Sequence, residues 1–102
     1  MITARIQYTV NPEYSTHNKE NIARVAAELK ALDRPDVRYV VFVENDGITF
    51  HHLYMCADGG ARKLLSGLES FIKFRTELKA SSPVPQPVAS DLGLVASSYD
   101  LF

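Results

Sequence analysis

Two adjacent histidines, His51 and His52, are the residues of this chain best suited to moving protons near neutral pH. An imidazole facing a cavity acts as a general base on an acidic C–H or O–H group. Neighbouring side chains on a strand point to opposite faces, so the pair cannot grip one metal ion together; one turns toward the helices and the other away from them. The register of the surrounding hairpin decides which is which, and a bulge at Gly47 would exchange them. A hydrogen-bonded structural histidine is the competing reading for either.

Other side chains qualify as binding groups. Arg5 and Gln7 lie on the polar side of the first strand and are candidate substrate contacts. Arg38 adds a guanidinium that can hold a carboxylate or a developing enolate oxygen, against the plainer reading of a solvated or dimer-paired arginine. Asn18 falls on the apolar stripe of a helix, where an amide orients a ligand or bonds to the sheet; left without partners it costs about 1–3 kcal/mol. Tyr99, with Tyr8, Tyr39 and Tyr54, suits the lining of a cavity for an aromatic or polycyclic ligand, or packs with its hydroxyl at a boundary. His17 lies off the stripe with Asn21, Arg24 and Glu28 and is expected at the solvent. Asp58-Gly59-Gly60 reads as a helix cap and hinge, because a phosphate loop needs a different spacing. Cys56 has no partner thiol and reads as a small buried residue. No metal-ligand spacing is present, so no metal is expected.

These side chains must be held by elements, and the pattern gives the elements. From Ile2 to Val10 apolar and polar residues alternate strictly, which is a strand with one oily face. Asn11-Pro12-Glu13 has the chemistry of a helix start: a capping side chain, a first-turn proline and an acid at the positive end of the dipole. The helix is expected from Pro12 to about Leu32, with Tyr14, Ile22, Val25, Ala26 and Leu29 as its buried stripe. Val37–Glu44 and Ile48–Met55 read as strands joined by Asn45-Asp46-Gly47 in a hairpin. A second helix is expected from Asp58 to about Ala80 on Leu64, Leu65, Leu68, Phe71, Ile72 and Leu78, with Phe74 widening its face. Ser81 to Pro87 is a proline-rich connector, and a last strand fits between Val88 and Tyr99.

Composition bounds the partners. With 102 residues, 46% hydrophobic, and a formal net charge of −1, the chain reads as one soluble domain over residues 1–102. It has no general attraction for phosphate backbones or anionic lipid, so neither nucleic acid nor a membrane is expected as a partner. A single cysteine and the lack of a signal-like apolar run place the expected location in the cytoplasm.

Strand–helix–strand, twice, around one hairpin gives the ferredoxin-like βαββαβ arrangement: α+β, with a four-stranded antiparallel sheet and two helices on one face. The hairpin strands are apolar on both sides, Val37, Tyr39, Val41 and Val43 in one parity and Val40 and Phe42 in the other, so the uncovered face needs a cover; a second copy of the same sheet is the simplest one, and a homodimer is expected. The stretches Tyr8–Glu13, Asn45–Leu53, Phe71–Phe74 and Ala96–Tyr99, the last in the final strand, make nearly the whole chain resemble the dimeric α+β barrel superfamily, and within it proteins akin to the antibiotic biosynthesis monooxygenases. That resemblance implies oxidation of a phenolic or quinol-like small molecule by dioxygen with no cofactor. A base at His51 or His52 would deprotonate the substrate and Arg5 or Arg38 would stabilise the oxyanion. The chain has no tryptophan, a residue that some oxygenase branches use. A non-enzymatic ligand-binding or stress-response dimer, and an isomerase or lyase using the same histidine, are the alternatives on this fold.

Overall fold

A computed structural model describes residues 1–102. Strand β1 (Ile2–Thr9) leads through a single 3-10 turn (Pro12–Tyr14) into helix α1 (Ser15–Leu32). Strands β2 (Val37–Val43) and β3 (Thr49–Cys56) follow, then helices α2 (Gly59–Gly67) and α3 (Glu69–Ala80), and strand β4 (Val88–Asp91). The sheet order is β2-β3-β1-β4, with every neighbouring pair antiparallel. This is the expected ferredoxin-like α+β architecture, with three helices where two were expected. Ala4, Tyr8, Phe50, Tyr54 and Cys56 bury one face of the sheet against Val25, Leu65, Phe71, Phe74 and Leu78 of the helices.

The hairpin settles the face of each histidine. Gly47 adopts a positive φ of 75°, which glycine accepts without steric cost. The Asp46 carboxylate accepts from the backbone N–H groups of Ile48 and Thr49, both at 2.9 Å, and from the Thr49 hydroxyl. The turn is thereby pinned, and residues pair one to one from Val43↔Phe50 to Val37↔Cys56 with no bulge. His52 therefore pairs with Ile6 and Val41 on the helix side, while His51 pairs with Gln7 and Phe42 on the open side.

Helix α1 departs from its expected start and stripe. The Asn11 side chain caps nothing; its backbone carbonyl accepts from Tyr14 N–H at 2.9 Å, closing the 3-10 turn ahead of the α-helix. The buried face is Ser15, Asn18, Asn21 and Val25, whereas Ala26 is exposed. The helix is rolled toward α3, and its buried amides are held by polar groups on other elements rather than by oil. Asn21, expected at the solvent, donates to Glu77 Oε1 on α3 at 3.0 Å, and His17 Nε2 meets the same oxygen at 2.5 Å.

The second helix is broken where one continuous helix was expected. Leu68 is extended (φ −63°, ψ 136°) between α2 and α3 and is buried, so the break turns its side chain into the core. Glycine at position 67 weakens the helix just ahead of the break. In α3, Ile72 is 43% exposed and so lies outside the core assigned to it from its spacing. After α3 the connector bonds back to β1 through Val84 N–H and the Thr9 carbonyl, which delivers β4 to the edge beside β1.

Candidate active site

Under the helices, four side chains from four elements form one hydrogen-bonded chain. Asn18 Nδ2 of α1 donates to the Tyr8 hydroxyl of β1 at 2.8 Å. Tyr8 Oη is 2.7 Å from His52 Nε2 of β3, and His52 Nδ1 is 2.9 Å from Tyr39 Oη of β2. Strand parity and register explain the convergence: Tyr8, His52 and Tyr39 all occupy helix-facing positions on three adjacent strands. Asn18 descends onto them from the buried face of α1. The rings of Phe50, Phe71 and Phe74 wall the chain, with Tyr8 stacked on Phe50 at 5.5 Å and His52 against Phe74 at 5.0 Å.

Burial sets the charge state. His52 is 1% exposed, and loss of hydration, with a smaller push from His51, pulls its pKa down to about 3. The imidazole is thus neutral at physiological pH. Burial also raises the pKa of both tyrosines, with the Asn18 hydrogen bond partly opposing the rise at Tyr8. All four groups are uncharged, and the proton sense of the chain then follows by elimination. If Tyr39 donated to His52 and His52 to Tyr8, the Tyr8 hydroxyl would receive two donors and its own proton would be buried without an acceptor, at a cost of about 1–3 kcal/mol. In the opposite sense Asn18 donates to Tyr8, Tyr8 to His52 Nε2, and His52 Nδ1–H to Tyr39. The Tyr39 O–H is left at the end as a free donor. Asn18 Oδ1 makes no hydrogen bond within the protein.

Tyr39 is also where the chain nears the surface. It lines a cleft of about 430 Å³ between the C-terminal half of α1 and β2. Of the residues singled out from the sequence, His52 and Asn18 are thus brought together. Both nitrogens of His52 are taken by hydroxyls, so a proton reaches or leaves it only through them. His51 sits on the open face, part-exposed, with Nε2 2.6 Å from Glu44 Oε2. Arg5 is exposed and Gln7 half-buried on that same face. Arg38 donates from Nε to the backbone carbonyl of Leu101, tying the C-terminal segment to β2. Tyr99 does not join the site: β4 ends at Asp91, and Tyr99 lies beyond it, 67% exposed, in a local turn closed by Ser97 Oγ.

Tyr8 and Tyr39 were legible as cavity tyrosines but not as a linked pair. Their shared parity with one histidine of the hairpin was the available signal. The contact of His17 and Asn21 with Glu77 had none, because it joins residues 56 and 60 positions apart in sequence. Those two donors hold the Glu77 carboxyl below its ordinary range.

The fold and this helix–sheet site define a class: a ferredoxin-like α+β protein with a polar chain between sheet and helices. No family model and no curated protein matches the chain in sequence. Solved structures do match in fold. A protein named antibiotic biosynthesis monooxygenase superposes with a TM-score of 0.77 at 16% identity, covering 94% of this chain and 100% of its own. Rv0793 from Mycobacterium tuberculosis gives 0.78 at 11% identity, covering 96% and 98%. SnoaB, a cofactor-independent oxygenase from Streptomyces nogalater, gives 0.71 at 18% identity, covering 97% of each chain. The chain therefore shares the ferredoxin-like α+β fold of these antibiotic biosynthesis monooxygenase-like structures. No helix is long and apolar enough to cross a membrane.

Proposed function

We propose that this protein is a cofactor-independent monooxygenase acting on a phenolic or quinol-like small molecule, and that it works as a homodimer joined through the open faces of two sheets. The observation that carries the reading is the uncharged chain Asn18–Tyr8–His52–Tyr39, which ends in a hydroxyl proton with no acceptor inside the protein. Donors linked in series polarise one another, so Tyr39 presents a stronger hydrogen bond than an isolated phenol would. Aimed at a substrate oxygen, it favours the phenolate over the phenol. The phenolate is the electron-rich form that gives electrons to dioxygen. One oxygen atom enters the product as a new carbonyl at a ring carbon and the other leaves as water; the ring supplies the four electrons and loses two hydrogens, one from that carbon and one from the phenolic hydroxyl. Tyr39 is then the catalytic residue, and His52 and Tyr8 are positioning residues that act through it. The likeness in fold to a named cofactor-independent oxygenase supports the same reading.

The test is oxygen uptake by the purified protein across a panel of quinols and hydroxynaphthalenes, with free metal removed by chelation. Tyr39→Phe is expected to lower the rate about 100-fold, the scale of one lost oxyanion donor. His52→Gln should lower it less and shift its pH dependence. Wild-type uptake no faster than the uncatalysed rate for every substrate rejects the reading, and so does a Tyr39→Phe rate equal to that of the wild type.

A further inference from the structure

The cleft at Tyr39 is one of two hollows that form an interrupted groove along the seam between α1 and β2. Nearer the start of α1 is the second hollow, of about 200 Å³, bounded by Ile22, Ala23, Val41, Phe50 and, at the edge of the sheet, Phe42. The groove exists because β2 is an edge strand of the sheet while α1 is drawn toward α3 by the hydrogen bonds of Asn21 and His17 to Glu77. On the seam itself α1 presents Ala23 and Ala26, which leave unfilled the space that longer side chains would close.

We infer that this groove holds the substrate, and that the substrate is a flat phenolic ring system bearing an anionic substituent; the inference rests on the oxygenase reading only for what happens to the ligand after it binds. Three observations converge on it. The floor of the groove is apolar, with Leu29 and Val37 beside the Tyr39 ring, and the Tyr39 hydroxyl is its link to the buried chain. The cleft at Tyr39, about 430 Å³, falls by itself in the size range of small-molecule sites. The rim is cationic in a chain whose net charge is −1: Lys19, Lys30, Arg34 and Arg38 border the groove against Asp33 alone. Arg34 is forked on Asp36, with bonds of 2.9 and 2.7 Å, whereas Lys19, Lys30 and Arg38 make no ion pair. Cations without a carboxylate partner above an apolar slot, Arg38 with only its Nε committed to the Leu101 carbonyl, fit a carboxylate or an acidic enol on an aromatic frame. The rival hollow beneath α2 and α3, lined by Ile6, Tyr54, Phe71 and Arg75, includes none of the four residues of the chain.

Calorimetric titration without oxygen separates binding from turnover, using 1-hydroxy-2-naphthoate as the anionic probe and 1-naphthol as its neutral counterpart. The naphthoate is expected to bind about tenfold tighter, in keeping with a charge-assisted contact. Replacing Lys30 and Arg38 together by Met should remove that advantage and leave 1-naphthol unchanged. Ala26→Leu fills the slot and should weaken both probes at least about tenfold, whereas Ala27→Leu, exposed on the same helix and away from the groove, should not. Ala26 is itself exposed and leucine favours helix, so the variant is expected to fold, which circular dichroism checks. Equal affinity for the two probes, or Ala26→Leu binding both as the wild type does, overturns the assignment. Binding as expected with no oxygen uptake supports the groove while rejecting the oxygenase reading.

Discussion

The most consequential residue is His52, because a histidine with both nitrogens occupied and 1% exposure is bound to neutrality. In the unfolded chain it takes a proton near its ordinary pKa of 6.5; in the fold it resists down to about 3. Between those values the unfolded state binds more protons, so stability falls as pH drops through the window, by up to roughly 1.4 kcal/mol per pH unit. The carboxyls of Asp46 and Glu77 are depressed as well, so they too lose stability as pH falls, but in a lower window: their contribution is present above the ordinary carboxylate range and is lost only as pH falls through and below it. The interval from about pH 6 to pH 5 thus isolates the histidine. Urea unfolding across that interval should give a distinctly shallower pH slope for His52→Gln than for the wild type, and parallel slopes would mean that the imidazole is not held neutral by the fold. Tyr8 is the companion test. Tyr8→Phe removes the acceptor of Asn18 and the partner of His52 Nε2 together, and the same unfolding measurement should report a loss of about 1–3 kcal/mol. A loss within a few tenths would mean that the chain contributes nothing to stability.

At the scale of elements, two glycines that look alike in sequence should respond oppositely to alanine. Gly47 has φ +75°, where a side chain is strained, so Gly47→Ala should destabilise by about 1 kcal/mol and loosen the turn that sets the histidine register. Gly67 has no positive φ, and an added Cβ would meet nothing within 4 Å, so Gly67→Ala should stabilise α2 by about 0.5–1 kcal/mol. Thermal unfolding of both variants decides it; shifts of the same sign would show that the backbone conformations are not what separates them. The contrast also explains what was readable in the sequence. The alternation of β1 and the Asn45-Asp46-Gly47 turn are local features, so β1, the hairpin and the order of elements could be read directly. Asp46 even contains the answer to the register, since its carboxylate captures the two N–H groups after the turn. The buried face of α1 could not be read, because Ser15 and Asn21 are made tolerable in the core by Gly47 and Glu77, which are remote in sequence. The same holds for the break at Leu68 and for Tyr99: one depends on how α3 meets the sheet, the other on β4 stopping at Asp91. Asn18 and His52 were singled out individually, but their joining through Tyr8 needed three strands in register.

For the whole molecule, the open face of the sheet is the feature that asks for a second subunit. Phe42 is 62% exposed, Val88 62% and Val40 38%, all on the side away from the helices. Covering them would contribute about 25 cal/mol for each Å² of apolar surface removed from water. A two-fold arrangement brings the same patch of each subunit onto the other. The face is not uniformly apolar: Arg5 lies among these residues, and His51, held by Glu44, pairs directly with Phe42 in the register. A glutamate in place of Phe42 would therefore put a new charge beside Glu44 in each subunit and set like charges together across the two-fold axis. Phe42→Glu is expected to sediment at the mass of one chain at micromolar concentration, with its circular dichroism unchanged, while the wild type sediments at twice that mass. A wild-type protein that sediments as a single chain would remove the dimer from the proposal and leave the cleft at Tyr39 as a site complete within one subunit.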